Sequence, residues 1–132
     1  MLSLTIRLLE IKISYMKTHK DLEVWKKSID FVVRLYETTS KFPTSELYGI
    51  NSQLRRAAVS IPTNIAEGAA RIHRKELLHF TTISIGSASE IETLLIISRK
   101  LNYLNEETFQ TLNADLQSIF RLLIALKKSL LD

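Results

Sequence analysis

The chain has 132 residues, of which 45% are hydrophobic and 24% charged, and it carries a formal net charge of +4. This length fits a single domain, and the composition excludes a chain that is disordered throughout. The absence of cysteine excludes disulfide bonds and zinc sites built on thiolates. With only two prolines and three glycines, few residues favour turns, so the composition predicts helices rather than an all-β fold.

Residues 1–15 differ from the rest of the chain. Apolar and polar residues alternate between Leu4 and Ile13, as in a β-strand, but a helical protein offers such a strand no partner. Charged residues interrupt the segment and no small-residue cleavage site follows, which argues against a signal peptide. We predict that residues 1–15 are an extension that precedes the natural start at Met16, and that residues 16–132 form the folded domain.

Hydrophobic periodicity, together with the prolines, glycines and capping residues at helix ends, predicts two helices in the first half of the chain. The first spans residues 20–41 and ends before Pro43. Its apolar stripe comprises Leu22, Trp25, Ile29, Val32 and Tyr36. The second helix begins at Thr44 or Ser45 and ends near Gly68, with a kink at Pro62. Its buried face comprises Leu47, Ile50, Leu54, Ala58, Ile61 and Ile65.

Two further helices follow in the second half. The third spans residues 74–102, and its buried side comprises Leu77, Phe80, Ser84, Ala88, Ile91 and Leu95. Gly86 in its centre costs about 1 kcal/mol relative to alanine, so we expect a neighbouring helix to approach closely there. Asn105 is predicted to cap the fourth helix. The stripe of this helix comprises Phe109, Leu112, Leu116, Ile119, Leu123, Leu126 and Leu130.

Four amphipathic helices joined by short loops predict an all-α fold, an antiparallel up-down four-helix bundle. Some apolar residues lie outside the main stripes: Phe31, Val33 and Leu35 in the first helix, and Val59 and Ala66 in the second. This surplus indicates a protein–protein interface, and hence a homo-oligomer. Unbroken apolar runs such as residues 94–97 are too short to span a bilayer. We therefore expect a cytoplasmic protein without a membrane partner.

Motifs for catalysis and for metal or cofactor binding are weak. A di-iron bundle uses two Glu-x-x-His motifs, whereas this chain has one such spacing, Glu76 to His79, and an oligomer would have to supply the second. The Gly86-Ser87 pair lacks the flanking glycine of a nucleophile elbow, and no glycine-rich phosphate loop is present. The sequence therefore predicts a non-enzymatic protein with no catalytic residue, no metal site and no cofactor.

Positive charge concentrates between residues 45 and 75, where the local net charge is +3, while residues 76–132 carry a local net charge of −2. The cations of this basic segment are Arg55, Arg56, Arg71, Arg74 and Lys75. Such a surface attracts phosphate backbones, although a solvated face without a ligand is the simpler interpretation of so small a surplus.

A polar stripe lies opposite the apolar face of the second helix. It comprises Arg56, Ser60, Thr63, Asn64, Glu67 and Arg71. Three interpretations fit this stripe: solvent-facing surface, a polar network at a subunit interface, or a surface that binds a ligand or nucleic acid. Ser60, Asn64 and Glu67 are the candidates for the interface network.

Three segments carry a resemblance to a known family: residues 20–26 (KDLEVWK), 53–68 (QLRRAAVSIPTNIAEG) and 86–90 (GSASE). They resemble the four-helix-bundle proteins named for 23S ribosomal RNA intervening sequences, over about residues 17–130, although Ala88 replaces a larger apolar residue. The resemblance implies an antiparallel bundle and a ring-like homopentamer. A relative, the accessory variability protein of diversity-generating retroelements, is a basic pentamer that binds nucleic acid, whereas the intervening-sequence proteins themselves have no assigned activity.

Together these observations predict a non-enzymatic homo-oligomer that binds RNA or DNA through the basic surface of its second helix. The alternative is a scaffold or accessory subunit that docks another protein and does not contact nucleic acid.

Overall fold

A computed structural model describes Leu4 and residues 18–131 of the chain. Within this part the fold has four α-helices and no strand, so the predicted all-helical fold is confirmed. The helices are α1 (Glu23–Thr39), α2 (Ile50–Ala70), α3 (Arg74–Lys100) and α4 (Glu106–Leu131). Short 3₁₀ turns, His19–Asp21 and Thr44–Glu46, precede α1 and α2. The predicted extension over residues 1–15 lies outside the described residues, apart from Leu4.

One hydrophobic core lies between the four helices. The most extensive contact joins α2 to α3, while α4 packs against both α3 and α1. Each helix contributes completely buried side chains, among them Leu35, Leu54, Ile61, Ile91 and Leu116. Burying a leucine or isoleucine stabilises a fold by about 1.5–3 kcal/mol, so the interhelical contacts carry most of the stability.

The fourth helix follows its prediction closely. The stripe from Leu112 to Leu130 is buried, and Phe109 packs against the core from a partly buried position. The Oδ1 atom of Asn105 accepts a hydrogen bond from the backbone N–H of Thr108 at 2.8 Å, which confirms the predicted cap. Just before it, Asn102 adopts a left-handed conformation (φ 62°), and the N–H of Tyr103 bonds the Ser98 carbonyl at 2.9 Å, as in a Schellman motif.

Glu106 at the start of α4 predicts a pH-dependent contribution to stability. Its carboxylate accepts hydrogen bonds from Gln110 (2.7 Å) and Arg99 (2.6 Å), and these bonds lower its pKa below the usual value. This contribution is present above the unfolded-state pKa and is lost as the pH falls through the lower folded-state pKa.

We therefore expect Glu106→Gln to lower the unfolding free energy at neutral pH and to lose this effect in acid. Denaturant titrations of both proteins across the acidic range measure the difference. Glu107→Gln is the matched control, because it removes a carboxylate from the same helical turn but none of those bonds. A Glu106→Gln effect that does not change with pH would contradict the prediction.

The apolar stripe predicted for the first helix is confirmed only at its start, where Leu22, just before α1, is buried. The side of α1 that faces the core comprises Val24, Ser28, Phe31, Leu35 and Thr39, whereas Ile29 and Tyr36 are exposed and Trp25 and Val32 are only partly buried. The prediction from hydrophobic periodicity left Ser28 and Thr39 out of the buried side, because both residues are polar. Their hydroxyls are satisfied within the helix, because Ser28 donates to the Trp25 carbonyl and Thr39 to the Leu35 carbonyl, each at 2.8 Å.

The predicted start of α2 is also wrong. Thr44 and Ser45 lie in a 3₁₀ turn, and the chain makes a further turn before α2 begins at Ile50. As a result Leu47, predicted to be buried, is 48% exposed. The helix then continues through Pro62 to Ala70, so its end near Gly68 is confirmed. The predicted kink at Pro62 stays a prediction.

The close helix approach expected at Gly86 occurs at Gly68 instead. A Cβ atom on Gly86 would meet no described atom within 4 Å. On Gly68 it would lie 2.9 Å from the Phe80 Cβ and 3.1 Å from the Leu77 Cα, both on α3. Ser84, also predicted to be buried, takes part in the same packing by donating to the Ile61 carbonyl of α2 at 3.2 Å.

By length and composition α3 is apolar enough to cross a membrane. Core helices of soluble proteins commonly share this property, and the side of α3 that contains Leu77, Ala88 and Leu95 is buried against its neighbours.

Candidate nucleic-acid interface

The five predicted cations fall into two groups at opposite ends of α2. Arg55 and Arg56 lie near its start, whereas Arg71, Arg74 and Lys75 follow its last turn. Since a helix rises 1.5 Å per residue, Arg56 and Arg71 lie about 22 Å apart along the axis. The fold therefore presents two separate basic sites.

Arg55 stabilises the end of α1. Its Nε donates to the Thr39 hydroxyl at 2.9 Å, its Nη2 donates to the Tyr36 carbonyl at 3.3 Å, and its guanidinium lies 4.4 Å from the centre of the Tyr36 ring. The Asn51 amide donates to the Thr39 carbonyl at 3.0 Å. A cation at a helix C-terminus is favoured by the helix dipole, so Arg55 has a structural role whatever it binds.

Arg74 has the equivalent position at the end of α4. Its guanidinium donates to the backbone carbonyls of Ser129 and Leu130 in the last turn of α4, and the last carbonyls of a helix need such donors. Arg71 pairs with Glu67 one turn earlier, at 2.8 Å, and lies 5.5 Å from the centre of the Phe80 ring. The hydrogen bond that Arg71 donates to the Glu67 carboxylate, together with the negative charge of Glu67, raises the pKa of Arg71. Lys75 is exposed and makes no side-chain hydrogen bond or ion pair with the described residues.

Arg56 is the most available of the four arginines. Its side chain is 75% exposed, and its described ionic contact is one of 3.8 Å with Glu90 of α3. An exposed pair at that distance contributes little, typically about 0.2–1 kcal/mol. Arg56 can therefore exchange Glu90 for a phosphate at small cost.

The polar stripe of α2 bonds mainly within the chain. The Ser60 and Ser87 hydroxyls lie 2.8 Å apart across the contact between α2 and α3, and the Asn64 amide donates to the Ser60 carbonyl at 2.7 Å and to its hydroxyl at 2.8 Å. Glu67 is exposed and pairs with Arg71. Ser60 thus joins two helices of one chain and Asn64 bonds to Ser60 within α2. A role at a subunit interface stays a prediction.

Tyr48 was not predicted as a site residue. It follows the turn before α2 and is 92% exposed, at the mouth of a groove of about 480 Å³ between α1 and α2. We call this the Tyr48 groove; it is lined by Tyr36, Leu47, Tyr48, Ser52, Arg55, Arg56 and Val59. Helical spacing could not have identified it, because Tyr48 precedes Ile50, the first residue of α2.

A second, apolar groove lies between α1 and α2, with a volume of about 320 Å³. It is lined mainly by Trp25, Ile29, Val33, Val59, Pro62 and Ala66. Val33, Val59 and Ala66 are among the surplus apolar residues from which the sequence predicted an interface. Phe31 and Leu35, predicted alongside them, belong to the core instead.

Within the described part of the chain, no three His, Asp or Glu side chains lie close enough to hold a metal ion. The His79 ring of the single Glu-x-x-His spacing packs edge-on against Phe80, with centroids 5.1 Å apart.

Comparisons with known proteins bear on this surface. The profile of the family described as "23S rRNA-intervening sequence protein" matches residues 20–125. A crystal structure of a protein of unknown function from the S23 ribosomal protein family of Bacteroides thetaiotaomicron VPI-5482 has a similar fold, with a TM-score of 0.72 and 27% identity. The match covers 80% of this chain and 98% of that chain. No curated protein matches.

Proposed function

The chain belongs to the 23S rRNA-intervening sequence protein family, and from this premise we propose that it is a non-enzymatic, cytoplasmic homo-oligomer that binds nucleic acid. RNA is the favoured ligand, because the names of the family and of its structural neighbour both refer to the ribosome. The observation that carries the proposal is the exposed guanidinium of Arg56 beside Arg55, on a chain with a net charge of +4.

The binding is electrostatic and not specific for sequence. Exposed lysine and arginine side chains neutralise phosphates and release counterions. Arg56 and Lys75 supply this charge at the two ends of α2, and Arg71 adds to it next to Lys75. Because one chain offers few such contacts, repetition of the surface in an oligomer raises the affinity through multivalency.

Self-association uses the apolar groove. Val33 is 55% exposed and Ile29 is 36% exposed, on the outer side of α1. Exposed isoleucines on the opposite helices, Ile83 and Ile97 of α3 and Ile124 of α4, offer apolar surface that a second copy can insert there. A contact between two different faces of the same chain closes into a ring when its rotation permits, as in the pentamer implied by the resemblance.

Each subunit is proposed to be an antiparallel up-down bundle. Paired residues in α2 and α3 support this order, because Arg56 meets Glu90, Ser60 meets Ser87 and Ile61 meets Ser84. As the number in α2 rises the number in α3 falls, which is the register of antiparallel neighbours.

Charge reversal at Arg56 tests the proposed surface. We expect Arg56→Glu to weaken binding of a structured RNA about tenfold at low salt, and to lower the slope of log affinity against log salt by about 0.7–0.9, the value for one phosphate contact. Arg121→Glu is the matched control, since it makes the same charge change at an exposed position on α4.

Fluorescence anisotropy at several salt concentrations measures both quantities, with circular dichroism to establish that the variants are folded. Equal losses for the two variants would contradict a site on α2, because they would reflect net charge alone.

A further inference from the structure

We propose that the Tyr48 groove binds one unpaired nucleotide of a single-stranded RNA, with the base stacked on the Tyr48 ring and the adjacent phosphate held by Arg56. This inference rests on the proposed function and adds to it the form of the nucleic acid and the chemistry of its recognition.

The exposure of Tyr48 is the first argument. A tyrosine buries a large apolar surface when it packs, yet 92% of this one is exposed, on a turn that ends at Gly49 beside the start of α2. The Tyr48 side chain makes no hydrogen bond and no contact with another aromatic ring among the described residues. Both faces of the ring are therefore accessible, which is what stacking with a base requires.

The surroundings of the ring are the second argument. Arg55 forms a fixed wall of the groove, because its guanidinium is stacked on Tyr36 and hydrogen-bonded to the end of α1. Arg56 lies on the accessible side and supplies a charge that can move. An aromatic face beside two guanidinium groups matches a nucleotide, which joins a flat base to a phosphate anion.

Acidic side chains near the groove have other partners. Glu46 interacts with Tyr103: burial, and after it the negative charge of Glu46 and hydrogen bonding to it, raise the pKa of Tyr103. Glu90 lies 3.8 Å from Arg56 and is the group that a phosphate would replace. The positive charge of Arg55 and Arg56 thus exceeds the negative charge that faces the groove.

The ligand must be unpaired at this position. In a duplex each base is stacked between its neighbours, so an aromatic side chain outside the helix cannot reach its face. A single strand, a bulge or a loop can turn one base outwards onto a ring, and such stacking does not depend on which base is present. The groove therefore distinguishes unpaired from paired RNA and does not read the sequence.

Comparing single-stranded and duplex RNA of equal length tests the proposal. We expect Tyr48→Ala to weaken binding of the single strand about 5- to 150-fold, the range found when stacking residues are replaced by alanine. Tyr48→Phe should retain the wild-type affinity, and duplex binding should be unchanged for both variants. The salt dependence should also be unchanged, because no charge is removed. Ile72→Ala is the matched control, a large side chain that is 96% exposed at the other end of α2.

A strand with one abasic position identifies the contact directly. The missing base should weaken binding to the wild-type protein when it lies at the bound nucleotide, and should have no effect on Tyr48→Ala. Suppose that the wild type binds RNA. If Tyr48→Ala then binds the single strand as tightly as the wild type does, or if its affinity for the duplex falls by the same factor as its affinity for the single strand, this inference is wrong and the proposed function stands. If the wild type binds neither RNA, the proposed function itself fails.

Discussion

Replacing Gly68 by alanine is expected to lower the free energy of unfolding by about 1–3 kcal/mol, the range found for overpacking in a core. The added Cβ would lie 2.9 Å from the Phe80 Cβ and 3.1 Å from the Leu77 Cα. The Leu77 Cα belongs to the backbone of α3, so a change of side-chain rotamer cannot relieve that contact. The two helices would have to separate, and their contact is the most extensive of any pair of helices in the described fold.

Gly86→Ala is the matched control for this prediction. It makes the same chemical change in the middle of α3, at a position where the added Cβ meets no described atom within 4 Å. Because alanine reduces the conformational freedom of the unfolded chain, we expect the unfolding free energy to rise by about 0.4–1 kcal/mol. Denaturant unfolding of the two variants should thus give shifts of opposite sign. A Gly68→Ala protein as stable as the wild type would contradict the close helix contact.

Replacing Val33 by glutamate is expected to dissociate the proposed oligomer. Val33 lies at the apolar groove and is 55% exposed in the single chain, so the substitution leaves the core of the subunit intact. In an oligomer that covers this groove, the carboxylate would be buried without a partner, which costs several kcal/mol.

Sedimentation equilibrium over a range of protein concentrations measures the change as a fall in mass to that of one chain. Ile72→Glu is the control, because it introduces the same charge at another exposed apolar residue, away from the groove. A Val33→Glu protein with the wild-type mass would contradict a contact through this groove.

The sequence predicted α4 well and α1 poorly, for a physical reason. In α4 the main apolar residues form one stripe, from Leu112 to Leu130, so the sequence indicates a single side as the buried one. In α1 two apolar sides exist, and the stripe that looked more regular is the outer one. The side that is buried includes Ser28 and Thr39, whose hydroxyls bond backbone carbonyls of α1 itself. Hydrophobic periodicity cannot reveal this, because it counts both residues as polar.

The candidate site was predicted as a set of charges but not as an arrangement. Arg55 and Arg74 bond atoms that lie 16 and 56 residues away in the chain, so their structural roles depend on the tertiary fold. Tyr48 was placed inside a helix, because the turn at Thr44–Glu46 was not predicted. Arg56, by contrast, was predicted to lie on the polar side of α2, and the structure leaves it exposed.

The central claim is that this family member binds nucleic acid electrostatically as an oligomer. Fluorescence anisotropy with a structured RNA and a duplex DNA at two salt concentrations, with the oligomer mass measured alongside, tests it most directly. We expect binding whose log affinity falls linearly with log salt, by about 0.7–0.9 for each phosphate neutralised. A folded oligomer that binds neither ligand at low salt would contradict the account and favour a scaffold that docks another protein.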